Sequence, residues 1–99
     1  MKIIHWNRED SPTVPLLKKL LKEEGMDSFP WSDSPGAYYY PHQHSEWEIR
    51  WLVKGSMKVK VDSIVQQLYH GDRLEIPPNT VHEVWMDPNE ETVYLCASR

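Results

Sequence analysis

From Gly36 onward, the chain is divided into short segments in which apolar and polar residues alternate. In residues 57–61, Met57, Val59 and Val61 alternate with two lysines, which is the two-residue period of a half-buried strand. Strands are also predicted over 37–44, 48–53, 73–76, 81–86 and 92–96, separated by turn residues such as Asp62-Ser63. So many short strands predict a mainly β fold, a small antiparallel barrel or sandwich.

The first thirty residues follow a different pattern. Residues 1–6 predict a short opening strand, and Pro15 suits the first turn of a helix. Four leucines at positions 16, 17, 20 and 21 follow at helical spacing, and Gly25 suits a residue just past the helix end. A helix of about ten residues is unstable alone, so it must pack as a lid or against the core. Without an internal repeat, residues 1–99 form one domain, with the strand and helix in 1–30 and the barrel in 36–97.

Composition excludes several classes of partner. The formal net charge is −4, and no cluster of basic residues offers the positive surface that nucleic acids or anionic membranes require. Cys96 is the one cysteine, which excludes an internal disulfide and a cysteine-based zinc site. No run approaches the roughly 20 apolar residues of a membrane span, and the N-terminus lacks a signal peptide. We therefore expect a cytoplasmic protein that binds neither nucleic acid nor membrane.

Three histidines and one glutamate form the pattern with the clearest chemistry. His42 and His44 lie two apart on a predicted strand and share a face, Glu48 continues that parity, and His82 begins a later strand. Buried without partners, such groups cost on the order of 1–3 kcal/mol each, and a divalent cation removes that cost. The alternative is a solvated pair of histidines, with Glu48 paired to Arg50 or a lysine.

The spacing of these residues resembles the two cupin motifs. The first motif is matched without departure by Gly36, His42, His44, Glu48 and Gly55, and the second is approximated by Gly71, Asp72, Pro77, Asn79 and His82. The resemblance is to small stand-alone prokaryotic cupins, and implies an antiparallel jelly-roll barrel. It also implies that His42, His44, Glu48 and His82 ligate one divalent metal ion, with Mn, Fe, Ni, Co or Zn all suited to such ligands.

Two residues depart from the second motif. Asn79 stands where glycine is usual, and asparagine tolerates the left-handed backbone that such a turn needs. Met86 replaces a usual asparagine and should make the cavity more apolar. Neither change removes a predicted ligand.

Strand parity predicts which residues surround the metal. Tyr38 and Tyr40 should face inward with His42, Arg50 and Leu52 with Glu48, and Val84 and Met86 with His82. Arg50 can bind a substrate carboxylate with two parallel hydrogen bonds, unless it pairs with Glu46 or Glu75 or a bulge turns it outward. Glu46 is the second candidate ligand. His5 and His70 are predicted to be surface residues.

Three tryptophans have the opposite parity. Trp47, Trp51 and Trp85 should cover the outer faces of the sheets. A small barrel that exposes so much aromatic surface usually buries it against a partner, and we expect a homodimer.

The predicted function is that of a metal-dependent enzyme acting on a small oxygen-rich or carboxylated molecule. Arg50 and Tyr40 are the predicted catalytic contacts, and isomerase, lyase and dioxygenase chemistry all stay open. The alternative is a non-catalytic module that binds or senses a sugar or other small ligand, with a structural metal. An open cavity of at least about 300 Å³ would favour ligand binding or catalysis. A cavity plugged by Tyr38, Tyr40 and Met86 would favour a structural role.

Overall fold

The computed structural model describes residues 1–99 as nine strands and one helix. In chain order these are β1 (Lys2–Ile4), α1 (Val14–Glu23), β2 (Phe29–Asp33), β3 (Tyr38–His42), β4 (Glu48–Lys54), β5 (Ser56–Val61), β6 (Ile64–Tyr69), β7 (Arg73–Ile76), β8 (His82–Met86) and β9 (Thr92–Ser98). The mainly β fold with one short N-terminal helix is confirmed. No helix is both long and apolar enough to cross a membrane.

The strands form two antiparallel sheets that pack face to face. One sheet has the strand order β1-β7-β4-β9-β2, and the other has the order β3-β8-β5-β6. Strands that are distant in the chain, such as β4 and β9, are neighbours in the sheet, as in a jelly roll. Both sheets contribute inward residues to one apolar core, which includes Leu52, Met57, Val59, Leu68, Leu74 and Ile76. The predicted jelly-roll architecture is therefore confirmed.

The residue types at the turns explain why strands begin and end close to their predicted positions. In the β5–β6 hairpin, Val61 pairs with Ile64, which leaves Asp62 and Ser63 as the predicted two-residue turn. Asp62 has a φ of 56°, a left-handed conformation that aspartate tolerates better than most residues. Strand β7 has the predicted bounds.

Strand β2 is absent from the sequence-based prediction. Its residues Phe29–Asp33 have no two-residue alternation, and Pro30 argues against a strand. In the structure, β2 lies at the edge of the five-stranded sheet and pairs only with β9. An edge strand needs ladder hydrogen bonds on one side only, so Pro30 is accommodated there.

The helix covers the outer face of the five-stranded sheet. The Thr13 side chain accepts a hydrogen bond from the Leu16 amide at 3.3 Å and caps the helix start. Leu17 and Leu21 are fully buried and pack in a second core cluster with sheet residues that include Ile49 and Leu95. The helix is thus a core helix and does not form a lid over the barrel interior.

Trp51 lies on the outer face as predicted, but it is not exposed. Only 9% of the residue is accessible, because Trp6 packs edge-on against its ring and the Arg73 guanidinium lies 4.9 Å above it. Its Nε1 donates a hydrogen bond to the Gly71 carbonyl at 3.0 Å. The outward position predicted for Trp51 is correct, and the N-terminal segment provides cover for its ring that was expected from a partner. The homodimer itself stays a prediction.

An ion pair fixes the end of α1 to the sheet. Two Arg73 nitrogens donate to the two carboxylate oxygens of Glu24, at 2.6 and 2.9 Å. This bidentate pairing lowers the pKa of the Glu24 carboxyl. Arg73 is buried and also donates to Glu75 at 2.9 Å. Burial acts to lower the pKa of Arg73, but these carboxylates outweigh burial and raise it.

We predict that Glu24→Gln reduces the free energy of unfolding by about 0.5–1 kcal/mol at pH 7, because the carboxylate is partly exposed and screened. A lowered folded-state pKa stabilises the fold above the unfolded glutamate pKa of about 4.3, and that stability is lost as pH falls through the folded value. The difference between the free energies of unfolding of variant and wild type should therefore shrink as the pH falls below the unfolded glutamate pKa. Urea denaturation across this range measures it, with Glu23→Gln as the matched control. Equal pH dependence in wild type and Glu24→Gln would contradict the prediction.

Candidate metal centre

Three histidines converge at the end of the four-stranded sheet where β3 pairs with β8. His42 ends β3 and pairs with His82, which begins β8, and His44 follows two residues after His42. One ring nitrogen from each lies within 4.8 Å of the others. The sequence prediction that these three residues meet is confirmed, while His5 and His70 lie outside the cluster and are exposed.

Backbone hydrogen bonds orient two of the imidazoles. The Nδ1 atom of His42 lies 2.8 Å from the Tyr40 carbonyl oxygen, and that of His82 lies 2.9 Å from the Thr80 carbonyl oxygen. A carbonyl oxygen can only accept, so each Nδ1 carries the proton. In each ring Nε2 is therefore the nitrogen that does not bond the backbone, and it can ligate a metal when it is unprotonated.

Glu48 is the buried carboxylate beside this cluster. It is 6% exposed, and its two oxygens lie 3.1 Å from His44 Nε2 and 2.9 Å from His82 Nε2. Arg50, two residues along β4, contacts the same carboxylate at 2.5 Å. Glu48 therefore joins the five-stranded sheet to the histidines of the facing strands. Glu46, the second candidate, is exposed and makes none of these contacts.

Opposed pKa shifts keep the carboxylate charged. Burial acts to raise the pKa of Glu48, but the hydrogen bond from His82 and the charge of Arg50 outweigh it and lower the pKa. Burial acts to lower the pKa of His82, and its hydrogen bond to Glu48 outweighs that effect and raises the pKa. Glu48 is thus held in the ionised form that a metal ligand requires.

The donor set fits a divalent cation. Three imidazoles and one carboxylate, brought together from three places in the chain, present mixed nitrogen and oxygen ligands once the metal-facing nitrogens are unprotonated. Without a cation, the same atoms must be satisfied by protons shared between the carboxylate and the imidazoles. His42, His44 and His82 could therefore hold a metal ion, with Glu48 positioned to complete the set.

Arg50 faces inward, as predicted, and its partner is Glu48. One guanidinium nitrogen contacts Glu48, and the other donates to the Ile49 carbonyl at 2.8 Å. The Glu48–Arg50 pairing considered from the sequence therefore occurs. The pairings of Arg50 with Glu46 or Glu75 do not, because Glu75 pairs with Arg73 and Glu46 is exposed. No bulge turns Arg50 outward, since its register with β7 is continuous.

The predicted parity of the tyrosines is wrong because β3 contains an irregularity. The β3–β8 register shifts between Tyr39 and His42. Tyr38 lies opposite Trp85, and its hydroxyl donates to Glu83 on the outer face. Tyr39 takes the inward position instead. Tyr40 is 74% exposed and contributes to the cavity mouth, where its proposed role as a substrate contact stays a prediction.

A buried carboxylate outside the predicted site organises the opposite side of the cavity. Asp33, at the end of β2, accepts hydrogen bonds from Tyr39 at 2.7 Å and Tyr94 at 2.6 Å. The Trp31 Nε1 also donates to it, at 3.3 Å. In the sequence, Asp33 lies only in the polar lead-in to Gly36, which gives no signal for a buried site.

The site opens into a cavity of about 490 Å³ between the sheets. The histidines, Glu48 and Arg50 form one part of its lining. The predicted inward residues Val84 and Met86 contribute apolar wall. Tyr38, Tyr40 and Met86 do not plug the space, so the arrangement has the size of a small-molecule site.

Asn79 connects the two halves of the histidine cluster. Its φ is 57°, so asparagine adopts the left-handed conformation expected at this turn. The backbone N–H of Asn79 donates a hydrogen bond to the His44 carbonyl at 2.7 Å. Three residues later, His82 begins β8. The departure from glycine is therefore accommodated as predicted.

A jelly roll that gathers histidines and a glutamate from two separated motifs defines a cupin. The family model described as the cupin domain matches residues 31–98, and this chain belongs to that family. No curated protein matches the sequence.

Solved structures support the same fold. A cupin-like protein from Thermotoga maritima is 30% identical with a TM-score of 0.66, over 74% of this chain and 56% of that one. A putative mannose-6-phosphate isomerase from Ralstonia eutropha is 23% identical with a TM-score of 0.66, over 76% of this chain and 74% of that one. A DMSP lyase from Ruegeria pomeroyi is 21% identical with a TM-score of 0.66, over 75% of this chain and 38% of that one. This chain thus spans about half or less of two of these relatives.

We predict that Asn79→Ala lowers the free energy of unfolding by about 1 kcal/mol, because a Cβ without a polar side chain strains the left-handed backbone. Asn79→Gly should stay within about 0.5 kcal/mol of wild type, since glycine adopts this conformation freely. Chemical denaturation measures both, with the exposed Asn89→Ala as the control. Equal losses in the alanine and glycine variants would contradict this account of the turn.

Proposed function

We propose that this cupin is a divalent-metal-dependent enzyme acting on a small molecule that carries a carboxylate or carbonyl oxygen. The observation that carries the proposal is the convergence of His42, His44 and His82, with Glu48 bridging two of them, at the wall of an open cavity. A purely structural ion would not need a cavity of about 490 Å³ beside it.

These four residues would hold the ion, and Mn, Fe, Ni, Co and Zn all suit the donor set. When bound, the ion would supply Lewis-acid stabilisation of negative charge on a substrate oxygen, or oxygen chemistry if it is iron. The protein itself supplies the orientation of the imidazoles through the Tyr40 and Thr80 carbonyls.

Arg50 and Glu48 are the polar residues next to the proposed ligand position. The Arg50 guanidinium orients a substrate carboxylate when it turns from its ion pair with Glu48. Glu48 Oε2 exchanges a proton with a substrate carbon or oxygen when the carboxylate leaves its ligand position. Tyr40 at the mouth donates a hydrogen bond to the outer end of the substrate. The apolar wall excludes water from these steps.

The reaction class stays open among isomerase, lyase and dioxygenase. One structural relative is described as a putative isomerase and another as a lyase. At 21–23% sequence identity, these similarities support a shared fold and do not identify the reaction. A binding or sensing module would share the same ligands, and substrate turnover by the metal-loaded protein separates the two functions.

We predict that purified protein carries about one equivalent of metal and that His44→Ala and His82→Ala lose most of it. Removing one ligand of four should weaken retention by at least the 10–100-fold that changes around ligands typically produce. Elemental analysis after dialysis measures the content. His70→Ala is the matched control, because His70 is an exposed histidine outside the cluster and should retain the wild-type amount.

Metal content that is low in wild type and unchanged in both site variants would overturn the metalloprotein proposal. If the ion is retained as expected, reconstitution with each of the five metals follows, with oxygen uptake and substrate conversion as readouts. Retained metal with no turnover of any carboxylated or carbonyl substrate would favour the binding module over the enzyme.

A further inference from the structure

The cavity is strongly divided between a polar end and an apolar body. Of its seventeen lining residues, twelve are hydrophobic. The other five are the three histidines, Glu48 and Arg50, which all belong to the candidate metal centre. Away from that end, the wall consists of side chains such as Met57, Leu74 and Ile76. A ligand that fills the cavity therefore meets charged groups and candidate metal ligands at one end only, and the Tyr40 hydroxyl is a polar group at the mouth.

Aromatic side chains surround the opening of this cavity. Phe29 and Trp31 come from β2, and Tyr40 comes from β3, so the rings line the seam between the edges of the two sheets. They are 56%, 49% and 74% exposed, respectively. Large rings left accessible on both sides of a cavity mouth present flat apolar surface to a ligand that enters there.

Asp33 holds this seam in place. It links Tyr39 of β3 to Tyr94 of β9, and thus joins the four-stranded sheet to the five-stranded sheet. The Trp31 ring is tied to the same carboxylate through Nε1. The Trp31 ring is therefore positioned at the mouth before any ligand arrives, which reduces the entropy cost of binding there.

The same hydrogen bonds remove the polar groups that a sugar would need. The hydroxyl protons of Tyr39 and Tyr94 are already donated to Asp33. The remaining wall offers almost no donors or acceptors for several hydroxyl groups. A hydroxyl buried without a partner loses its hydrogen bonds to water, so a sugar or other polyol is disfavoured in the body of the cavity.

The polar end favours an anionic head group. Glu48 and Arg50 form an ion pair, so their charges cancel. A divalent cation on the neighbouring histidines leaves that end with net positive charge, which attracts a carboxylate or enolate oxygen. Because this net positive charge requires the bound ion, the assignment of an anionic head group rests on the proposed function.

We propose that the ligand of this cupin is an organic anion with a planar, largely apolar body. The anionic oxygen lies at the histidine end, and the apolar body lies along the wall and between the rings of Phe29, Trp31 and Tyr40. This narrows the substrate from an oxygen-rich or carboxylated molecule to a carboxylated or enolic molecule with an aromatic or similarly apolar skeleton.

The test measures how affinity changes with the body of the ligand at a constant head group. Acetate, benzoate and 2-naphthoate carry the same carboxylate on increasing apolar surface, and glucuronate carries it on a polyol. Isothermal titration calorimetry of the metal-loaded protein should show at least tenfold tighter binding of 2-naphthoate than of acetate. Burial of about 55 Å² of apolar surface is enough for that factor. Glucuronate should bind no more tightly than acetate.

Variants of an aromatic residue at the cavity mouth test whether the apolar body of the ligand binds there. Trp31→Ala should weaken 2-naphthoate at least fivefold and leave acetate within twofold, while Trp31→Phe should retain most of the affinity. Tyr69→Ala is the matched control, because Tyr69 is a 58% exposed aromatic residue on β6 that does not line the cavity. Thermal unfolding checks that each variant is folded.

Equal affinity across the carboxylate series, glucuronate binding at least as tightly as 2-naphthoate, no binding of any compound, or indifference to Trp31→Ala would each overturn the inference. Metal content measured in the same samples distinguishes it from the proposed function. Protein without retained metal that still binds 2-naphthoate through Trp31 would support the apolar body and contradict the metal centre. Full metal retention with equal affinity for acetate, benzoate and 2-naphthoate would support the metal centre and contradict the apolar body.

Discussion

A carboxylate buried between two sheets is the constraint around which the candidate site is arranged. Glu48 belongs to the five-stranded sheet, while His82 belongs to the four-stranded sheet and His44 to the loop after β3. At 6% exposure, the charge of Glu48 is tolerated only because His44, His82 and Arg50 all contact it. The cluster therefore satisfies a charge that the fold has buried, and it places four candidate ligands at one end of the cavity.

Asp33 has a corresponding role on the other side of the cavity. Its bonds to Tyr39 and Tyr94 span the seam between the sheets, whereas the bonds of Glu48 span the histidine end. Two buried carboxylates thus join the sheets at separate places, and a cavity of about 490 Å³ with a mostly apolar wall lies between the sheets. The apolar wall and the aromatic mouth follow from this arrangement, and they limit what a ligand can be.

Much of the candidate site was predictable because strand parity is a local property. On β4 and β8, uninterrupted pairing puts Glu48, Arg50, His82 and Met86 on the inward face, as alternation alone requires. The same rule failed on β3, where a register shift between Tyr39 and His42 moved Tyr39 inward and Tyr40 to the mouth. Pro41 lies within the shifted stretch, and a proline inside a strand is a local signal for an edge or a bulge that side-chain alternation alone does not use.

The sequence by itself determined the strand periodicity, the short helix, the left-handed turn at Asn79 and the spacing of the histidines and Glu48. Each of these depends on residue type and on neighbours a few positions away. Only the tertiary structure decided that β2 is an edge strand, that the N-terminal segment covers Trp51, and that Asp33 is buried beneath two tyrosines. These features depend on contacts between segments far apart in the chain. The energies of such contacts cannot be inferred from local sequence patterns.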